Sequence, residues 1–281
     1  MSRIEMAMEK AARLREGEGA PLVAGHDSAA KAANHKDANH QTMNHQAGRF
    51  SLADKFLVNL NAPQSPTAEE YRKLKTVLVK LTGGDLFRNT IQVTSSLPCE
   101  GKSLTSLNLA LSLAQEFDHT VLLIDADLRR PSVHRYLGIE EGPGLAELLL
   151  GKAEVAETLV ATGIGKLSVI RAGCEVDNPA ELLSSQKMKE LLDELKNRYA
   201  DRYVIFDSAP VLPYADPRSL AQMVDGVIFV IMERLAKEES IQEALDSLKG
   251  SRILGFVYNA ASEGGNHERY SYYRRDGKKQ A

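Results

Sequence analysis

Apolar residues follow two rhythms along this chain. Six short runs, at residues 90–95, 121–125, 167–171, 203–207, 226–232 and 253–258, are built largely from aliphatic and β-branched side chains. Longer stretches, in which apolar positions recur every three or four residues, occupy 66–81, 104–117, 185–199, 217–224 and 238–248. The short runs read as strands hidden on both faces, and the longer stretches as amphipathic helices. In the first helix Leu74, Val77, Leu78 and Leu81 share one face. Strand alternating with helix predicts an α/β fold: a doubly wound, mostly parallel sheet with helices on both sides. In such a sheet ligands gather at the carboxyl ends of the strands.

Both flanks break this pattern, so the folded domain is expected over residues 50–260. Residues 1–16 suggest a short helix, with Ile4, Met8, Ala11 and Ala12 at helical spacing among charged residues. Residues 17–49 form a His-, Asn- and Ala-rich linker that offers nothing to bury, and disorder is the expectation. Its histidines, His26, His35, His40 and His45, could ligate a metal, but three of them follow a five-residue period that leaves a common helical face. The last segment, 261–281, is polar, flexible by composition, and carries Tyr270, Tyr272 and Tyr273 without apolar neighbours.

Bulk composition narrows the class. A chain of 281 residues with 43% hydrophobic and 26% charged residues supports one sizeable soluble domain. A net charge of −3 gives no general attraction to nucleic acid. Two cysteines, Cys99 and Cys174, make no disulfide framework, which suits a reducing compartment. The first residues lack the apolar core of a secretion signal, and no run approaches the roughly 18 apolar residues of a membrane span. A cytoplasmic protein is expected.

The candidate chemistry lies at three of the predicted strand ends. After the first strand, Pro98, Cys99, Glu100, Gly101, Lys102, Ser103 and Leu104 open a helix. A Gly-Lys-Ser at a strand-to-helix turn aims backbone N–H groups and an ammonium at a polyphosphate, and leaves the serine hydroxyl for Mg²⁺. Asp125 and Asp127 end the second strand, and Asp207 ends the fourth. Aspartates there can hold a metal shell, here Ser103, Asp127 and Asp207, or take a proton from an incoming hydroxyl, for which Asp125 and Asp127 both qualify. Arg129 and Arg130 stand just beyond, able to anchor a phosphate or to lie in solvent. The full phosphate-loop pattern has glycine where this chain has Ser96, and Cys99 is the unusual residue of the loop. If Cys99 must adopt a positive φ, it does so at a steric cost, and its thiol would lie beside a lysine and a helix N-terminus that favour oxidation.

These segments resemble the bacterial tyrosine kinase family, the phosphate-loop autokinases of polysaccharide export loci, over roughly residues 66–275. The run 95–103, Ser-Ser-Leu-Pro-Cys-Glu-Gly-Lys-Ser, is similar to the family's Walker A. Ile-Asp-Ala-Asp-Leu-Arg-Arg-Pro at 124–131 is similar to its Walker A′, and Ile-Phe-Asp-Ser-Ala-Pro at 205–210 to its Walker B. Glu69, Arg72 and Lys75 resemble the Glu-x-x-Arg-x-x-Arg stretch through which members assemble into rings, with lysine in the last place. Lysine keeps the charge but loses the bidentate fork. Tyr270, Tyr272 and Tyr273 match the tyrosine cluster phosphorylated between neighbouring subunits. The N-terminal segment resembles the standalone autokinases of exosortase-linked exopolysaccharide loci.

The resemblance implies an ATP- and Mg²⁺-dependent tyrosine autokinase that regulates exopolysaccharide synthesis and export, with Lys102, Asp125 and Asp127 as catalytic residues. It also implies ring-like self-assembly, and peripheral placement at the inner membrane through a separate chain-length-determinant activator. Two other readings remain at this stage. One is a partitioning or positioning ATPase on the same fold, though that class carries an extra lysine where Leu97 stands. The other is a nucleotide-binding scaffold without transfer, which the cysteine in the loop would permit.

Overall fold

The computed structural model describes residues 55–262, apart from 85, 86, 199 and 200. The helix expected at 1–16, the histidine-rich linker and the three tail tyrosines lie outside the described residues.

Seven strands form one sheet: β1 Thr90–Ser95, β2 Thr120–Asp125, β3 Leu159–Ala161, β4 Leu167–Ile170, β5 Arg202–Asp207, β6 Gly226–Met232 and β7 Ile253–Asn259. Their order is β3-β4-β2-β5-β1-β6-β7. Every neighbouring pair is parallel except β3 with β4. Six strands stand where the apolar runs predict them. The seventh, β3, is new: three half-buried residues are too few to show either rhythm, and β4 supplies its pairing.

Burial on both faces follows from the period of two. On β2, Leu122 and Ile124 join one core while Val121 and Leu123 join the other, and on β5 Val204 and Phe206 oppose Tyr203 and Ile205 in the same way. The first core is roofed by helices Gln186–Arg198, Asp216–Ala221 and Glu238–Ser247, and the second by Lys102–Ala114 and Pro66–Thr82. A parallel sheet needs this double cover because neither of its faces can be left to water.

Three helices depart from their sequence expectation, the one expected at 217–224 by running Asp216–Ala221. The one expected at 104–117 runs Lys102–Ala114. It stops early because the carbonyl of Ala114 accepts from Lys166 N–H at 3.1 Å, and Gly165 lies so close to that carbonyl that a Cβ there would meet it at 2.6 Å. Phe117 is consequently 92% exposed. In Pro66–Thr82, Leu78 is buried and Leu74 packs on the core, but Val77 and Leu81 are 53% and 39% exposed. The buried stripe runs instead through Ala68, Leu78 and Thr82, whose hydroxyl shares a 2.8 Å hydrogen bond with the Tyr203 hydroxyl. Val77 and Leu81 lie on the shoulder of that stripe.

Helix Pro66–Thr82 begins at Ser65, whose hydroxyl accepts from Ala68 N–H at 3.1 Å, with Pro66 at the first helical position. Such caps are worth about 1 kcal/mol. Ser65→Ala is expected to lower the melting temperature by about 2–4 °C, measured by thermal denaturation, and no change would mean that the cap contributes nothing.

Candidate functional site

β1 lies inside the sheet with β5 on one side and β6 on the other. Its helix crosses over to β2, two places away, and β5 later fills the gap. The carboxyl ends of β1, β5 and β2 are thereby brought side by side, the crevice position expected for a ligand. Asp125 and Asp207 are register partners at the ends of β2 and β5, and both are fully buried.

The loop from Ser96 to Gly101 turns the chain from β1 into helix Lys102–Ala114. Cys99 has φ 65° and Gly101 has φ 88°. The first value puts the cysteine in the left-handed region where glycine is at ease. Lys102 is only 7% exposed. The amides of the first helical turn have no helical acceptor of their own, so the loop and helix start form a concave set of donors with a cation. Phosphate oxygens suit such a cradle.

Glu100 has a different place from its loop neighbours. Its side chain is fully buried, turned inward. One carboxylate oxygen accepts from the Ser96 hydroxyl at 2.9 Å and Leu97 N–H at 2.7 Å, and the other from Met232 N–H at 3.4 Å, at the end of β6. From β7, the Asn259 side-chain amide donates to the Glu100 carbonyl at 3.0 Å.

The acidic group has uneven surroundings. Asp207 accepts from the Ser106 hydroxyl at 3.1 Å through one oxygen, while the other, Oδ2, is buried without a partner. Burial pushes its carboxyl up to about 6, against the pull of the Ser103 hydroxyl and the Lys102 ammonium. Asp125 is also pushed well above the ordinary carboxylate range, first by burial and then by the charge of Asp207. Its carboxylate is spoken for: it accepts from Ser132 and Val133 N–H, both at 3.0 Å, and from Asp127 N–H at 3.3 Å. Asp127 lies just past the strand, 9% exposed, with one oxygen accepting from Arg129 and Arg130 N–H. Asp125 thus shapes the turn after β2, and Asp127 is the one more open to an incoming group.

The donor set can be tested for a divalent metal. No group of three or more His, Cys, Asp or Glu with metal-holding geometry occurs among the described residues. A Mg²⁺ that shares its shell between one or two carboxylates, a hydroxyl, waters and phosphate oxygens needs no such cage. The unpartnered Oδ2 of Asp207 beside the Ser103 hydroxyl fits a metal of that kind.

Arg129 is exposed, as its solvent reading expects, yet its guanidinium is held in place. Its Nε and Nη2 donate to one oxygen of buried Asp216 at 3.1 and 2.9 Å, and the guanidinium lies 4.4 Å from the Tyr214 ring centroid. Arg130 is exposed. On helix Pro66–Thr82, Arg72 donates to Glu69 and to the Pro63 carbonyl, and Lys75 pairs with Glu116 at 2.7 Å. Ser106, Asn259 and the inward side of Glu100 escaped sequence reasoning. Ser106 could have been found four residues after Lys102 on the same helix face, and Asn259 as the polar residue that ends the last strand at the ligand edge.

Comparison with known proteins agrees with this geometry. Residues 89–250 match the family described as an AAA domain. The tyrosine-protein kinase YwqD of Bacillus subtilis is 36% identical over 80% of this chain and 94% of its own length. The succinoglycan biosynthesis transport protein ExoP of Rhizobium meliloti is 32% identical over 71% of this chain, which spans only 26% of that longer protein. Among solved structures, the kinase domain of the Escherichia coli tyrosine kinase ETK superposes with a TM-score of 0.67 and 30% identity, covering 74% of this chain and 83% of that one.

Proposed function

The chain belongs to the bacterial tyrosine-protein kinases, and from that premise we propose that it transfers the γ-phosphoryl group of ATP to Tyr270, Tyr272 and Tyr273 of a neighbouring copy. The observation that supports the proposal is a convergence at one sheet edge: the phosphate loop, the partnerless oxygen of Asp207, Asp127 as the less enclosed carboxylate after β2, and the start of the C-terminal segment. β7 runs parallel to β6, so the chain leaves it at the ligand edge, where Asn259 touches the loop. Seven residues separate Ser262 from Tyr270, and at about 3.3 Å per residue they reach beyond 20 Å.

In this reading Lys102 and the loop amides hold the β- and γ-phosphates and neutralise the charge that spreads over the transferring group. Ser103 and Asp207 would hold Mg²⁺, which when bound adds positive charge at the phosphates, leaving Asp127 free to act on the acceptor. Asp127 takes the proton of the tyrosine hydroxyl as its oxygen bonds to phosphorus and the bond to the ADP oxygen breaks. Asp125 keeps the turn that carries Asp127 in place. New phosphates beside Arg269, Arg274 and Arg275 would remodel contacts between copies.

The wider role follows the relatives named for polysaccharide production. We assign this chain the regulation of exopolysaccharide synthesis and export, assembly into a ring through Glu69, Arg72 and Lys75, and activation by a separate membrane protein of the chain-length-determinant type. No helix among the described residues is long and apolar enough to cross a membrane.

Transfer between copies is tested by mixing two inactive halves. Lys102→Met protein keeps the acceptor tail, and protein with Tyr270, Tyr272 and Tyr273 all changed to Phe keeps the loop. Together with ATP·Mg²⁺ they should place phosphate on the Lys102→Met tail. Phosphate on wild type but never on the mixture would overturn transfer between neighbours.

A further inference from the structure

The phosphate loop of this chain carries a cysteine, Cys99, at φ 65°, in the left-handed region that favours glycine. A loop that lacks the freedom of glycine must have its shape imposed from outside. The imposing contacts come from within the loop and from the ends of β6 and β7. Glu100, fully buried, gathers the Ser96 hydroxyl and Leu97 N–H from within the loop and Met232 N–H from the end of β6. Asn259, at the end of β7, donates to the Glu100 carbonyl, and its side chain lies where a Cβ on Gly101 would meet Nδ2 at 2.0 Å. The loop from Ser96 to Gly101, with Cys99 inside it, is therefore pinned at Glu100 and Gly101 against the ends of β6 and β7.

We infer that Glu100 and Asn259 are positioning residues for nucleotide binding: together they hold Cys99 in its left-handed conformation and keep the loop amides and Lys102 aimed at the phosphates. A carboxylate accepting three hydrogen bonds does this better than a neutral group, because charge-assisted bonds are shorter and stronger. The same contacts explain why a cysteine is tolerated at a position whose backbone favours glycine. The inference rests on the nucleotide-binding half of the proposed function and is indifferent to where the phosphoryl group goes.

The brace predicts a coupling between two positions in this loop. Glu100→Gln keeps the side chain's size but loses its charge and presents an amide where an acceptor is needed. It should raise the dissociation constant for ATP about tenfold, and raise KM for ATP while kcat at saturating ATP stays within about threefold. Cys99→Gly alone relieves the steric cost at φ 65° and should tighten ATP binding. Added to Glu100→Gln it should recover most of the loss, because glycine reaches φ 65° without help. Asn259→Ala, which truncates a half-buried side chain and leaves Glu100 intact, should show the same loss and the same rescue.

The experiment is ATP titration of wild type, the three single variants and the two double variants, followed by steady-state kinetics. Unchanged affinity in folded Glu100→Gln and Asn259→Ala proteins would overturn the inference. So would losses that Cys99→Gly fails to repair, or a loss confined to kcat, which would put Glu100 on the reacting atoms. Absence of ATP binding by the wild type would remove the nucleotide reading itself, and this inference with it.

Discussion

Lys102→Met is expected to reduce phosphotyrosine formation by at least about 10²–10³-fold, the usual loss when one preorganised charge on a transition state is removed. Methionine matches the lysine stem in length and shape, and Lys102 is only 7% exposed, so packing at the start of the helix is preserved. What disappears is the ammonium. Its position is held from several sides: the helix begins at Lys102, Gly101 takes φ 88° to start it, and Asp207 lies within electrostatic reach. In water-poor surroundings that charge acts on the phosphates with little screening. A folded variant, checked by circular dichroism, that still accumulates phosphotyrosine at the wild-type rate would remove Lys102 from the mechanism.

Asp207→Asn is expected to move two quantities in opposite directions. Transfer should fall by at least about 10²-fold with loss of its Mg²⁺ dependence, since the carboxylate that would hold the metal is gone. The nucleotide-free fold should become more stable at neutral pH. The sign follows from the raised carboxyl: about 6 in the fold against an ordinary 3.8. A group whose folded pKa lies above its unfolded one contributes stability that is fully present below the unfolded value and is lost as pH rises through the folded value. Above pH 6 the ionised, buried Asp207 therefore weakens the fold by on the order of 3 kcal/mol, about two pKa units at 1.36 kcal/mol each. Asparagine keeps the shape and the bond from Ser106 without the buried charge. Its stabilising effect should be largest at pH 7–8 and shrink steadily as pH falls toward 5. Thermal melts across that range read it directly, and a variant less stable than wild type at pH 8 would show that the charge of Asp207 is compensated without metal.

Much of this site was legible in the sequence because its parts are local. A phosphate loop is written in consecutive residues, and Asp125 and Asp207 each follow a run of buried aliphatic and aromatic side chains that announces a strand end. Strands buried on both faces leave an unbroken apolar signature, which is why six of seven were found and the three-residue β3 was not. Contacts across the chain leave no such mark. The Asn259 amide reaches a carbonyl 159 positions earlier, and Arg129 finds Asp216 87 positions later. Glu100 was read as part of the cradle because its neighbours are; only burial reveals that its side chain faces the other way. Val77 and Leu81 misled for a related reason, since spacing identifies a face but not how wide the covering surface is.

The central claim, an ATP-dependent transfer to the chain's own tyrosines, is tested most directly by phosphopeptide mass spectrometry of the purified full chain. The protein would be incubated with ATP·Mg²⁺ and a candidate activator fragment. Phosphate is expected on Tyr270, Tyr272 or Tyr273, absent without Mg²⁺. ATP hydrolysis with no phosphotyrosine would contradict it in favour of a positioning ATPase, and bound ATP with neither product would leave a nucleotide-binding scaffold.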